Sequence, residues 1–200
     1  MPADASKTVE YPLREKRKTK TRESLLDAAA ELLFEVGYDN MTLDQVAERA
    51  EVHVQTLYRH FPTKLAIILE LNAYALDELT SLLKNRESGV STISVWRAIV
   101  KKYSSVTDKG LVLYTPSGPA APAFWELMDR YVSVLTAGLA IDMGVSARSR
   151  DRRPYLLACM LKASNDIEAM RWNASGRKGS LTKKLVAIVD DIADRYVSID

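Results

Sequence analysis

Cysteine occurs once in this 200-residue chain and histidine twice. A single cysteine excludes an intrachain disulfide. Set between Leu157 and Leu161, Cys159 is expected to be a buried, inert thiol rather than a nucleophile. The two histidines, His53 and His60, stand seven residues apart and offer no metal-ligand pattern, so no metal is expected. Glycine-rich phosphate loops, a Ser-His-Asp order and paired carboxylates are also missing, which argues against an enzyme and against any cofactor. Long apolar runs are absent as well. No segment approaches the roughly 18 residues of a membrane span, and the opening MPADASKTVEYPLREKRKTK lacks the apolar core of a secretory signal, so a cytoplasmic protein without membrane contact is expected.

Glycine (8) and proline (7) are scarce, and apolar residues recur at helical rather than alternating spacing. The expected fold class is therefore all-α. A hydrophobic fraction of 47% with 27% charged residues fits an ordinary globular protein with a sizeable core. The net charge is only +2, but the positive charge is concentrated locally. Arg14, Lys16, Arg17, Lys18, Lys20 and Arg22 crowd around the lone Glu15. Such a run suits either a nucleic-acid-binding arm or a solvated tail.

Leu25, Leu26, Ala29, Leu32, Leu33 and Val36 mark a first helix over about 21–36, ended by Gly37. Thr42-Leu43-Asp44-Gln45 has the form of a capping box and opens a short helix over about 43–50. A turn at Glu51-Val52-His53 leads to a third helix over about 54–60. Pro62 breaks that helix and Thr63 caps a fourth, which runs to about Arg86. Longer helical patterns follow over about 92–107, 120–143, 152–174 and 181–198.

Two short helices joined by a three-residue turn have the lengths of a helix-turn-helix, whose second helix enters the major groove of DNA. In VHVQTLYRHF, Val54 and Leu57 would hold that helix to the core, while the polar surplus faces bases and phosphates. Spacing alone also permits a small amphipathic bundle whose polar face is merely wet.

The run TRESLLDAAAELLFEVGYDNMTLDQVAERAEVHVQTLYRHFPTKLAIILEL, residues 21–71, resembles the DNA-binding domain of the TetR family of bacterial transcriptional regulators. Its "LDAA...LF...GY", "T...VA..A.V" and "TLYRHFPTK" follow in the family's order and spacing. The resemblance implies a homodimer on double-stranded DNA, a pseudo-palindromic operator, and a C-terminal domain that dimerises and binds a small-molecule effector, usually releasing DNA. The implied organisation is a flexible basic arm over 1–20, a helix-turn-helix domain over 21–66 and a helical ligand-binding and dimerisation domain over 67–200.

Carried over by position, Thr42 would bind phosphate, Thr56, Tyr58 and His60 would meet phosphate or base edges, and Lys64 would anchor the DNA backbone. Lys18, Lys20 and Arg22 would add phosphate contacts from the arm. Gln55 and Arg59 occupy variable positions and are the expected base readers, since Gln suits adenine and Arg guanine. The turn departs from the family's Gly-Val-Ser/Thr. Glu51 lacks glycine's freedom at positive φ, and His53 is a poorer N-cap.

In the larger domain Trp96, Tyr103, Phe124, Trp125, Met128, Tyr131 and Asn165 are the expected ligand-lining residues, although such side chains equally build plain cores. Leu157, Leu161, Leu185, Ile188, Val189 and Ile192 are expected to form the dimer seam. Two alternatives stand beside this reading: a regulator whose C-terminal domain binds a partner protein, and an all-α carrier or enzyme without DNA binding.

Overall fold

The structure is a computed structural model and describes residues 12–107, 121–146 and 148–196. These residues form nine helices: α1 (Pro12–Glu35), α2 (Gly37–Asn40), α3 (Leu43–Arg49), α4 (Val54–His60), α5 (Lys64–Lys84), α6 (Thr92–Thr107), α7 (Ala121–Asp142), α8 (Arg153–Ala174) and α9 (Leu181–Tyr196). Most of the YTPSGPAAP connection before α7 lies outside the described residues. No strand occurs among them.

The first helix begins earlier than its apolar pattern. Residues 12–20, read as a flexible arm, are helical and continuous with the rest of α1. Lysine and arginine are good helix formers, and Pro12 and Glu15 sit where a helix N-terminus favours them. Residues 15–20 remain exposed, so this half of α1 is a cationic rod held by the buried half that follows. At the other end Gly37 takes φ 78°, and a single helical turn, α2, intervenes before the capping box.

Two cores share one helix. Leu25, Ala29 and Leu33 of α1 pack with Val46, Ala47, Leu57 and Phe61 and with Ile67, Ile68 and Leu71 of α5. The second half of α5, from Ala75 to Leu79, belongs to the larger core of α6 to α9. The division between the two units therefore falls inside α5, near Asn72, rather than at the 66/67 boundary that the sequence suggested. Tyr103 of α6 packs against both cores.

The larger bundle has a close helix crossing at Gly138 of α7. A Cβ there would lie 2.6 Å from Thr92 Oγ1 and 3.0 Å from its Cγ2. Thr92 is fully buried and β-branched, and its hydroxyl accepts from Arg86 Nη1 at 2.9 Å, so it has little room to yield. Gly138→Ala is expected to destabilise the protein by about 1–3 kcal/mol, the usual cost of overpacking. Urea denaturation followed by circular dichroism measures this directly.

Candidate nucleic-acid interface and internal cavity

Helix α3 starts in the way its sequence specifies. Thr42 Oγ1 accepts from the Gln45 amide at 3.2 Å, and the Thr42 amide donates to Gln45 Oε1 at 2.8 Å. Thr42 is exposed, so its hydroxyl proton can still be given to a phosphate beside the open amides of the first turn. Helix α3 is also tied to α1, because Arg49 donates to both carboxylate oxygens of Glu35 at 2.6 Å.

The turn keeps the shape that glycine normally provides. The Val52 amide donates to Ala47 O at 3.0 Å and the Glu51 amide to Glu48 O at 3.0 Å, the pairing of a Schellman motif. Glu51 occupies the left-handed position with φ 55°, a local strain of about 1–2 kcal/mol for a residue with a Cβ. His53 does cap α4, through Nδ1 accepting from the Gln55 amide, but at a long 3.4 Å.

On α4, Leu57 is fully buried and Phe61 follows it into the core, while Gln55, Tyr58 and Arg59 are exposed. The spacing of those three places them on one face. Thr56 and His60 lie half-buried along its edges. Burial, followed by the charges of Arg22, Arg59 and Lys18, holds the His60 imidazole below the usual histidine range. It is therefore a neutral side chain at neutral pH, within the field of cations contributed by both α1 and α4.

Two expected DNA contacts are committed elsewhere. Arg22 forms a two-pronged pair with Glu70, with both N–O distances at 2.9 Å, and its guanidinium lies 4.5 Å from the Phe61 ring centroid. It ties α1 to α5 and lids Phe61. Lys64 Nζ donates to Tyr38 O at 2.9 Å and Asp39 O at 3.4 Å and sits 4.7 Å from the Tyr38 ring centroid, so it fastens the start of α5 to α2. Lys18 and Lys20 stay exposed on α1, the former with only a 4.0 Å solvated pair to Glu15. His53, passed over as a contact, is also exposed at the leading end of α4.

The larger core holds a partly open cavity of about 60 Å³ between α5, α6, α7, α8 and α9. Four of the seven expected ligand residues line it: Trp96, Tyr103, Tyr131 and Asn165. Phe124 and Met128 are core side chains away from it, and Trp125 is 58% exposed. Helical spacing placed all three on α7, but only Tyr131 turns toward the cavity. Asn72, Lys162 and Leu181 are among the further wall residues that were not anticipated. Tyr131 Oη donates to Asn72 O at 2.7 Å, and burial pushes its phenol pKa upward, so it is a neutral donor. Tyr103 Oη donates to Glu78, which also receives Lys102; these donors hold the Glu78 carboxyl below its usual range.

Of the six residues expected at the dimer seam, five are already covered within one protomer. Leu157, Leu161, Leu185, Val189 and Ile192 are all buried within the protomer, and Leu185 faces the cavity. Ile188 alone of the six is half-exposed, beside a shallow surface groove that it shares with Ile167. The apolar residues that α8 leaves exposed or half-exposed include Leu156, Met160, Ala163, Ile167 and Met170, besides Tyr155, Cys159 and Ala174. Leu156, Met160, Ala163, Ile167 and Met170 step by four, three, four and three, the rhythm of a helix–helix seam on a different face from the one expected.

A helix-turn-helix with an open polar face on α4, joined through a shared helix to a larger bundle holding a cavity, defines a DNA-binding regulator. Residues 25–71 match the family model described as bacterial regulatory proteins, tetR family. The chain is 24% identical over 177 residues to the HTH-type transcriptional regulator TcmR of Streptomyces glaucescens, covering 80% of this chain and 76% of that protein. It is 39% identical over 64 residues to the repressor KstR of Rhodococcus jostii (strain RHA1), where only 32% of this chain and 30% of that one align. The crystal structure of FadR from Bacillus subtilis in complex with stearoyl-CoA superposes with a TM-score of 0.61 at 19% identity, over 85% of this chain and 96% of that one. The helix-turn-helix unit, residues 25–71, is a DNA-binding domain of the tetR family of bacterial regulatory proteins. None of the described helices is long and apolar enough to cross a membrane.

Proposed function

We propose that the protein is a repressor that binds a pseudo-palindromic operator as a homodimer and is released by a compact small-molecule effector held in the cavity. The observation that carries the DNA reading is the exposure of Gln55, Tyr58 and Arg59 on one face of α4 while Leu57 and Phe61 fix the opposite face. Gln55 and Arg59 read bases, and Thr42, Thr56, Tyr58, His53 and His60 meet the backbone or the edges of bases. Lys18 and Lys20 add phosphate contacts from the exposed half of α1. The exposed apolar face of α8, with Ile188 at its border, is the dimer surface, and twofold symmetry sets the two recognition helices about one DNA turn apart, roughly 34–36 Å.

The family's larger domain is also compatible with a partner protein in place of a ligand. The cavity favours the ligand, because its wall includes Asn72 and Ala75 of α5, the helix that also carries part of the DNA-binding core. A molecule that spreads the cavity bears on Asn72 and Tyr103, and thereby on the base of the helix-turn-helix. A coupling of about 3 kcal/mol would lower operator affinity roughly a hundredfold. The B. subtilis relative is described with stearoyl-CoA, but here the cavity is less than half the roughly 150 Å³ that holds benzene in an engineered protein. A compact effector suits that volume better than a long acyl chain.

Selection of tight sequences from random DNA, at several salt concentrations, tests the reading. The expected result is a palindromic site whose affinity falls steeply with salt. Arg59→Ala should weaken that site about 10- to 100-fold and relax the preference at one base pair in each half-site. Weak binding without sequence preference, in protein stripped of bound small molecules, would contradict the function.

A further inference from the structure

The cavity is apolar except for a few groups, and three polar atoms in its wall have no hydrogen-bond partner among the described residues. These are Trp96 Nε1, Asn165 Nδ2 and Asn165 Oδ1. Both side chains are more than nine-tenths buried. Buried polar groups in native proteins are ordinarily paired, so an unpaired set facing a cavity marks where a partner belongs. Together they offer two donor nitrogens, with three N–H bonds between them, and one carbonyl acceptor, so that two N–H bonds and the carbonyl remain open to a single ligand group. A hydroxyl has the reciprocal capacity, with two lone pairs and one O–H.

Lys162 and Tyr131, two further polar groups of the wall, already have partners. Lys162 is 4% exposed and its ammonium is paired with the Asp166 carboxylate, four residues along α8. An anionic ligand would have to break that pair inside the bundle and leave Asp166 facing it, a costly exchange. Tyr131 gives its only proton to Asn72 O. Around these groups lie Ala75, Ile99, Val100 and Leu181, with the indole of Trp96 and the ring of Tyr131 in edge-to-face contact at 6.2 Å. Such walls favour a flat aromatic body.

We propose that the cavity selects a small, neutral aromatic molecule bearing a hydroxyl group, with Asn165 and Trp96 as its specificity-determining contacts. The inference rests on the reading of this cavity as the effector site. A single ring already needs more room than the resting cavity provides, so the wall opens on binding.

Phenol and toluene, nearly equal in shape, with benzoate as the anion, separate the alternatives. Each is titrated into the full-length protein by calorimetry, while the indole N–H resonances are followed by NMR. Toluene is the more hydrophobic, so a dry apolar cavity prefers it. Here phenol should bind about tenfold more tightly than toluene, benzoate should bind more weakly than either, and the Trp96 N–H resonance should move downfield with phenol. In Asn165→Leu the order of phenol and toluene should invert, and Trp96→Phe should narrow the gap without loss of fold.

Equal or tighter binding of toluene to the wild-type chain, an unchanged preference in both variants, or no binding of phenol at millimolar concentration overturns the proposal. Ala75→Leu, which fills part of the cavity, distinguishes the two levels. If it abolishes binding of both neutral probes while the wild type prefers toluene, the cavity remains the effector site and only the hydroxyl selectivity falls. If it leaves phenol binding untouched, the probe sits elsewhere and the effector-site reading falls too.

Discussion

Ile167→Glu is expected to leave the protomer folded, to convert the protein from dimer to monomer, and to lower operator affinity by a factor on the order of 100 to 10,000. Ile167 is 49% exposed, so a carboxylate there disturbs no internal packing. In a twofold interface built on the exposed face of α8, the same substitution puts two carboxylates near the axis, each removed from water by the other subunit. The operator loss follows from geometry. Each recognition helix engages its half-site with unchanged chemistry, but the second engagement is no longer intramolecular. Sedimentation velocity and operator titration on the same preparation test both halves of the expectation. A dimer that survives Ile167→Glu would place the interface on another face. Leu161→Glu is the contrasting variant: Leu161 is fully buried in the protomer, so its replacement should unfold the larger domain rather than merely dissociate it.

The contrast between Ile167 and Leu161 shows what periodicity can reveal. A four-three repeat identifies a face that is buried, but not which neighbour buries it, and α8 carries two such faces. The one through Leu157 and Leu161 is occupied by the protomer's own helices; the one through Leu156, Met160 and Ile167 is open. Local chemistry was more legible. The capping box at Thr42, the positive φ at Gly37 and the unusual left-handed Glu51 follow from side chains within a few residues of each other, and the structure shows all three. The exposed polar face of α4 was legible for the same reason, since α4 is one short helix whose inward positions are obvious. Arg22 and Lys64 escaped because their partners, Glu70 and the Tyr38 carbonyl, are 48 and 26 residues away, beyond any local pattern. Trp96 and Asn165 stood out only as types. That their polar atoms are unpaired depends on every helix around them, and sequence spacing carries no such information.

Phe61 is the residue on which the DNA-binding unit depends most. It is 1% exposed, caps α4 with its amide donating to Leu57 O at 2.8 Å, and lies under the guanidinium of Arg22, which in turn is held by Glu70 of α5. Three helices therefore converge on one ring. Phe61→Ala removes that ring from a closed core and takes away the surface on which Arg22 rests, at an expected cost of about 3–5 kcal/mol. That is comparable with the whole stability of many domains of this kind, so the helix-turn-helix should melt well below the rest of the protein. The larger core lacks Phe61 altogether and is held by α6 to α9 with the second half of α5. Thermal unfolding followed by circular dichroism should therefore separate into two transitions, with operator binding lost and phenol binding to the cavity retained. Tyr58→Ala supplies the comparison. Tyr58 is 49% exposed, so its removal should lower operator affinity while leaving the melting profile as in the wild type. A single transition at the wild-type temperature in Phe61→Ala would mean that α4 is held by something other than this ring. Loss of both activities together would mean that α5 transmits the disorder upward, making the shared helix a mechanical link in both directions.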